Sequence, residues 1–374
     1  MIKKLLWMVL VLATAAQAAS FDVGTPLTSE LKPEQQQSQA AHLAAEVLAR
    51  YHYKPMPLDD AMSEKIFDRY LKSLDPEKIF FVQTDIDQMG SLRTTLDDAI
   101  VVEDLTAPFA IFNLYARRVH ERFGYARALL KEGFDFGQKE TYQYERGKEP
   151  WAKSEVEMRE VWRKRVKNDW LRLKLSGKGD QNIVEILDKR YDRSQRRIDR
   201  VKSEDVFNTF MNAYTMAIEP HTNYMGPRAA GDFDISMKLS LVGIGATLAE
   251  KDDYTTIREL VPGGPAALSG QLKIGDRIVG VSQGQGGVMT DVLGWRLDDT
   301  VALIRGAADS AVLLDVLPAN AGPDGKHKLV SLIRKKITLE KILESLEMMM
   351  PVVKVPEEIR IRAKLCVDRM LEIV

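Results

Sequence analysis

The stretch LVGIGATLAE, Leu241 to Glu250, sets two glycines around one isoleucine, ahead of an alternating, strand-like run. Gly243 and Gly245 give the backbone conformations that side chains forbid elsewhere. Backbone N–H groups in such a turn can converge on a single anion. The chemistry on offer is capture of a negative charge, not bond cleavage. The other reactive residue types do not assemble. His42, His52, His120, His221 and His327 are scattered, and no His-x-x-x-His or Cys-x-x-Cys spacing suggests a metal. No cofactor and no metal site is expected. Asp276 follows a turn glycine, Gly275, so a structural role in the turn is expected of it. His221 lies among Pro, Gly and Asn. With no nucleophile placed beside it, a structural or hinge role is expected rather than that of a base. Met348 to Met350 reads as an apolar helix end.

The elements that must carry the glycine stretch fall into three pieces. From about Leu31 to Ala217 the pattern is helical. LDDAMSEKIFDRYLKSLDP puts Met62, Ile66, Phe67, Tyr70, Leu71 and Leu74 on one face, with Asp59 or Asp60 to cap the start and Asp75-Pro76 to stop it. SEVEMREVWRKRVKNDWLRLKL opens with a capping box, Ser154 to Glu157, and sets Trp162, Val166, Trp170 and Leu173 on one stripe. Further amphipathic runs cover Ala41 to His52, Ala107 to Leu130, Asn182 to Arg200 and Glu204 to Ala217. Between Arg159 and Lys202 there are roughly two basic residues for each acidic one. That is the pattern of a solvated helix face laced with i,i+4 pairs, with a partner-docking face as the milder alternative. IEPHTNYMGPRAAGDFD, from Ile218 to Asp234, breaks the helical pattern as a linker. From Met237 to Leu332 the pattern is strand-like. GIGATLAE and YTTIREL are short β runs, and AVLLDVLPA and KHKLVSLIR flank a hairpin turn, NAGPDG. VPGGPAALSG leads into a short helix, and LDDTVALIRG is a second, with Asp298 or Asp299 near its start. The strands should form a small α+β domain, a partly closed barrel with a helix beside it. From Lys336 on the pattern returns to helix, broken at Pro351.

The chain has 374 residues, enough for two or three domains. Its net charge of −1 points to neither nucleic acid nor a membrane surface. The N-terminus, MIKKLLWMVLVLATAAQAAS, has a Lys3-Lys4 start, an apolar run from Leu5 to Ala15, and Ala16-Gln17-Ala18 as a small-x-small cleavage site. The run is well short of the ~20 residues that span a bilayer. A cleaved signal peptide and export to a bacterial periplasm are expected. Membrane contact is then limited to the transient leader or to peripheral association. Cys366 is the only cysteine, which suits an oxidising compartment.

LVGIGATL, VPGGPAALSG, LKIGDRIVGV and DDTVALIRG occur in the order and spacing of a PDZ domain, with GIGA resembling its carboxylate-binding loop. EPHTNYMGPR, KSLDPEKIFF and RTTLDDAI extend the match upstream. Over residues 1–340 the chain resembles the periplasmic tail-specific, or C-terminal processing, proteases. The resemblance implies a multidomain α and α+β chain. Its parts are a signal peptide (1–18), a helical N-terminal domain (19–217), a linker (218–236), a PDZ domain (237–335) and a short helical tail (336–374).

The PDZ resemblance implies that a peptide adds as a strand beside an exposed edge. Leu241, Val242, Gly243 and Ile244 would hold its terminal carboxylate, with Gly245, Ala246 and the residues to Leu248 as the pairing edge. Leu248, Val301 and Ile304 would line the pocket for the last side chain. The implied partners are unstructured C-termini of periplasmic proteins, with an adaptor on the helical domain. The alternative is a non-enzymatic periplasmic interaction protein that works through its helical surface. The family's serine nucleophile and lysine base lie well after the PDZ domain, and no position of this chain matches them. No catalytic residue is therefore assigned and no hydrolysis is expected. Residues 338–374, beginning TLEKILESLE, resemble instead the C-terminal end of quinolinate synthase. That enzyme's iron–sulfur cluster needs three cysteines, and one is present. The chain thus reads as a chimera, a truncated protease precursor with a foreign tail.

Overall fold

The computed structural model describes residues 30–237, 240–284, 286–322 and 325–338. The chain divides into two compact units, Met1–Gly226 and Pro227–Val374.

The described part of the first unit is built from helices: α1 (Gln35–Tyr51), α2 (Asp60–Leu74), α3 (Gln83–Gln88), α4 (Leu96–Val101), α5 (Thr106–Glu132), α6 (Glu155–Leu175), α7 (Asp180–Asp199) and α8 (Ser203–Ile218). Helix α5 is long, 27 residues or roughly 40 Å at 1.5 Å per residue, and serves two cores in turn. Its first half brings Phe109, Phe112 and Ala116 to Ile66, Phe67, Tyr70 and Phe210 from α2 and α8. Its second half brings Ala126, Leu129 and Leu130 to Trp162, Val166 and Trp170 of α6 and Ile183 and Leu187 of α7. The stripe expected on α6 is therefore buried, with Leu173 at its margin.

Local chemistry sets the ends of these helices. Asp59 caps α2 by accepting from the Met62 N–H at 2.9 Å. At α6 the Ser154 hydroxyl accepts from Glu157 N–H, but the Glu157 carboxylate takes the Lys153 N–H, so the expected box closes one residue early. Asp75 is buried, and its carboxylate gathers the N–H groups of Ile79, Phe80 and Phe81 at 2.9, 2.9 and 3.0 Å. The Ile79 carbonyl in turn accepts from the Trp162 indole at 2.6 Å. The KSLDPEKIFF motif is thus a turn that carries one carboxylate into the interior. Burial raises the pKa of that carboxyl against the pull of its three N–H donors.

Other carboxylates in this unit go the opposite way, Glu219 and Glu140 the furthest. Glu219 is lowered to about 2, chiefly by the His221 backbone N–H and also by the Tyr53 hydroxyl and the His221 ring, which stands 2.6 Å away. Glu140 is lowered to about 2 by Arg163 first and then Lys167. A depressed folded-state pKa stabilises the fold above the unfolded value, and that stability is lost as pH falls through the folded value. The unit's melting midpoint should therefore fall as pH drops from about 4.5 toward about 2. In a Glu140→Gln/Glu219→Gln double variant the fall should be shallower. An identical slope for both proteins, followed by circular dichroism, would reject this account.

The second unit begins with a helix, α9 (Pro227–Met237). It occupies the latter part of the stretch expected to be a linker. Pro227 suits a first helical position. Ion pairs hold the helix: Arg228 on Asp299 at 2.8 Å and on Asp298 at 3.5 Å, and Asp232 on Arg305 at 2.9 Å. The rest is β1 (Ser240–Gly243), β2 (Ala246–Lys251), β3 (Tyr254–Leu260), α10 (Pro265–Leu268), β4 (Arg277–Ser282), β5 (Thr290–Asp291), α11 (Leu297–Ile304), β6 (Ala311–Leu317), β7 (Lys328–Ile333) and β8 (Lys335–Thr338).

The main sheet runs β2-β3-β4-β6-β7, with β5 on β4, and all its pairs are antiparallel. The β2–β3 hairpin turns at Asp252 and Asp253, both at positive φ (51° and 63°), as a two-residue hairpin requires. The β6–β7 hairpin spans the NAGPDG segment, as expected. The sheet does not close into a barrel among the described residues. Among the described residues β1 and β8 pair only with each other, Ser240 opposite Thr338 and Gly243 opposite Lys335. Lys336 to Thr338, read from sequence as the start of a helix, are therefore strand. Pairing with β1 overrides their local pattern. The remainder of the expected helical tail, 339–374, lies outside the described residues, as does the expected signal peptide.

Candidate peptide-binding groove

Strand β2 is an end strand of the main sheet, and α11 packs on β2 and β4. A channel bounded by a strand edge and a helix follows from that order. The turn into β2 is Ile244-Gly245. Gly245 sits at φ +72°, which a side chain rarely tolerates. The carbonyls of this turn point inward: Ile244 O accepts from Ala266 N–H at 2.8 Å and Gly245 O from Val261 N–H at 2.9 Å. In a trans peptide the N–H points opposite to the carbonyl of the same unit, so with these carbonyls engaged the N–H groups of the same two units face the other way, as an anion-binding turn requires.

The structure distributes the expected site residues over three places. Leu241, Val242 and Gly243 lie in β1, opposite Ile337, Lys336 and Lys335, so their backbone belongs to a ladder. Ile244 and Gly245 form the turn, and the Ile244 side chain is buried in the core of the unit. Ala246 and Leu248 stand on β2 and pack against that core, where Ile304 of α11 joins them. Val301 is half-buried on α11. The core thus brings Ile244, Ala246, Leu248 and Ile304 together, with Gly245 in the turn beside them and Val301 one turn back on α11. Leu241 to Gly243 belong to the ribbon that feeds the turn.

Three supports hold these elements in place. Asp298 and Asp299 lie in the first turn of α11, near its start as expected, and Asp299 receives Arg228 of α9. The C-terminal carbonyls of α11 are held by Gln283 and Arg334. Gln283 Nε2 donates to Leu303 O at 2.8 Å, and Arg334 Nε donates to Ile304 O at 2.7 Å. Burial pulls the Arg334 pKa below its ordinary value. Asp276 holds the turn before β4. It is 2% exposed and accepts from the N–H groups of Lys273 and Ala319 and from Lys328 Nζ at 2.8 Å. A signal for Asp276 existed, its place after a turn glycine; for Arg334 and Gln283 none did. A separate cavity of about 260 Å³ lies on the same unit, between the Val261–Pro265 turn, the end of β7 and Lys335–Ile337. The expected site residues do not line it, and a hollow without convergent polar groups is weaker evidence of a site than the turn beside β2.

Comparison with known proteins separates the chain into the same parts. Residues 44–228 match the tail-specific protease N-terminal domain, and residues 234–317 match the PDZ domain. The tail-specific protease of Haemophilus influenzae is 39% identical over 320 residues, 85% of this chain and 45% of that protein. The chain therefore spans a little under half the length of that relative. The PDZ domain of the carboxy-terminal protease of Vibrio cholerae, solved in complex with peptide, is 58% identical; the match covers 27% of this chain and 100% of that one, with a TM-score of 0.26. Over 39 residues, 10% of this chain, the sequence is 69% identical to quinolinate synthase of Geotalea uraniireducens, covering 13% of that enzyme.

Proposed function

Since the chain belongs, over its helical and PDZ regions, to the tail-specific proteases, we propose that it is the recognition portion of a C-terminal-processing serine endopeptidase. Its ligands are the free, apolar C-termini of periplasmic proteins. The peptide adds antiparallel to β2, its carboxylate meets the N–H groups of the Ile244-Gly245 turn, and its last side chain stands between Leu248, Val301 and Ile304. The observation that carries this reading is the inward anchoring of the turn's two carbonyls on Ala266 and Val261. It leaves donors, and not acceptors, facing an incoming chain end.

The proposal assigns recognition to these residues and gives none of them the serine or lysine role of hydrolysis. Placement in the periplasm rests on the leader-like pattern of residues 1–18. The similarity to quinolinate synthase supports a join near Thr338. Sequencing the locus past the codon for Glu340 tests that join: an uninterrupted protease reading frame there would remove it.

The binding reading is tested with one fluorescent peptide ending in apolar residues, made as the free acid and as the amide. Removing the terminal charge should weaken binding to the full chain about tenfold or more, the cost of leaving the donors unpaired. Equal affinity for both forms would sink the reading.

A further inference from the structure

Arg334 sits between β7 and β8 and is 2% exposed. Its guanidinium makes five hydrogen bonds: Nε to Ile304 O at 2.7 Å, Nη1 to Ser310 Oγ at 2.9 Å and Ala311 O at 3.0 Å, and Nη2 to Gln283 Oε1 at 2.6 Å and Leu303 O at 3.1 Å. None of these acceptors is a carboxylate. A buried cation without a counter-ion is costly, so the surroundings must supply partial charge. They do so through α11. Leu303 and Ile304 are its last two residues, and their carbonyls have no partner within the helix and lie at its negative end. The guanidinium is the cap of the helix.

The same residue is tied to the strands. Its N–H donates to Ser310 O and its carbonyl accepts from Asp309 N–H, both at 2.9 Å. The next residue, Lys335, stands opposite Gly243 at the entry to the glycine turn. Gly306 leaves the space, since a Cβ there would lie 2.9 Å from Arg334 Cζ. One side chain therefore joins the end of the helical wall to the strand that borders the carboxylate turn.

We propose that Arg334 is a positioning residue for the groove: by capping α11 it fixes how far Val301 and Ile304 stand from β2, and so selects the size of the terminal side chain admitted. The proposal rests on the peptide-binding reading above and adds to it the source of its selectivity. Lysine cannot substitute, because three donors on one nitrogen do not span acceptors spread over a planar fork. Gln283 shares the task, since it accepts from Arg334 and donates to the same Leu303 carbonyl.

The test uses the full chain as wild type, Arg334→Lys, Arg334→Met and Gln283→Leu. Four peptides differ only in a final Ala, Val, Leu or Phe, and dissociation constants come from fluorescence anisotropy. The wild type should prefer one ending over the next in size by about tenfold, the usual worth of fitted apolar volume. In Arg334→Lys and Gln283→Leu the preference should shrink to about threefold or less. A merely structural arginine would weaken all four peptides alike and leave the preference intact, and that result overturns the proposal. If the Arg334 variants do not fold, Gln283→Leu carries the same readout with the arginine in place. If the wild type binds no peptide, the recognition reading fails and the cap is judged by hydrogen exchange. The Ile304 and Arg305 amides should then exchange about tenfold faster in Gln283→Leu, with the β3 and β4 amides unchanged. Unchanged exchange at α11 overturns the cap itself.

Discussion

Replacing Gly245 by alanine should remove peptide binding and destabilise the second unit by roughly 2–5 kcal/mol, whereas Gly263→Ala should cost only about 1–2 kcal/mol and leave binding intact. Both glycines sit at φ +72°, so both variants pay the same penalty for placing a side chain in the left-handed region. They differ in what the new methyl meets. At Gly263 nothing lies within 4 Å. At Gly245 the methyl would meet Gly264 Cα at 3.0 Å and the Ile337 side chain at 3.3 Å. The first of these is backbone and cannot rotate away. The turn must then move off its anchors on Val261 and Ala266, and its N–H groups lose their common direction. The comparison isolates the contact from the dihedral. Urea melts of the two variants, paired with anisotropy titrations, read both. Equal losses of stability, or full binding by Gly245→Ala, would show that close approach at this turn is not what shapes the site.

Trp162→Ala should be the most damaging single change in the helical unit, at roughly 3–5 kcal/mol. The indole is fully buried and stacks edge-on with Phe123 at 5.3 Å and tilted against Phe80 at 5.9 Å. Truncation leaves a cavity at the centre of the second core and strips the Ile79 carbonyl of its donor. That carbonyl belongs to the turn Asp75 organises, so the injury reaches the α2 end as well. For a unit of this size the loss corresponds to a fall in melting temperature of roughly 6–20 °C. Trp162→Phe restores most of the volume but not the hydrogen bond, and should recover more than half of the loss. A fall of less than about 1 kcal/mol for the alanine variant would mean that the second core is not organised around this residue.

The sequence made most of the long helices legible because their apolar residues repeat over several turns. The Asp59 cap, the face from Met62 to Leu74 and the stripe from Trp162 to Trp170 all follow from spacing alone. Helices α3 and α4 are only 6 residues each, too short for a period to register. Helix α9 carries Pro, Gly and two Asp in PRAAGDFD, a composition that reads as a loop. It is held instead by ion pairs to α11, formed with residues some seventy positions downstream. The ribbon of β1 and β8 was hidden for the same reason, since neither strand has the length or alternation to declare itself without the other. Within the groove, the glycine turn, the pairing edge and the helix could be named from their motifs. The capping of α11 could not, because Arg334 and Gln283 look like ordinary polar residues until the fold brings them to the same carbonyl.

The ribbon also has a mechanical meaning. Ser240 faces Thr338, so the outer ends of the two strands stand side by side, at one end of a ladder of four pairs. Tension drawing the two strands apart at that end falls on one pair at a time, in a peeling mode, instead of being shared among all four. The pairs should part in order from Ser240–Thr338, and the last to go is Gly243–Lys335. That last pair borders the glycine turn on one strand and Arg334 on the other. The ribbon acts as a fuse: a pull that parts its two outer ends is spent on the outer pairs before it reaches the Ile244-Gly245 turn.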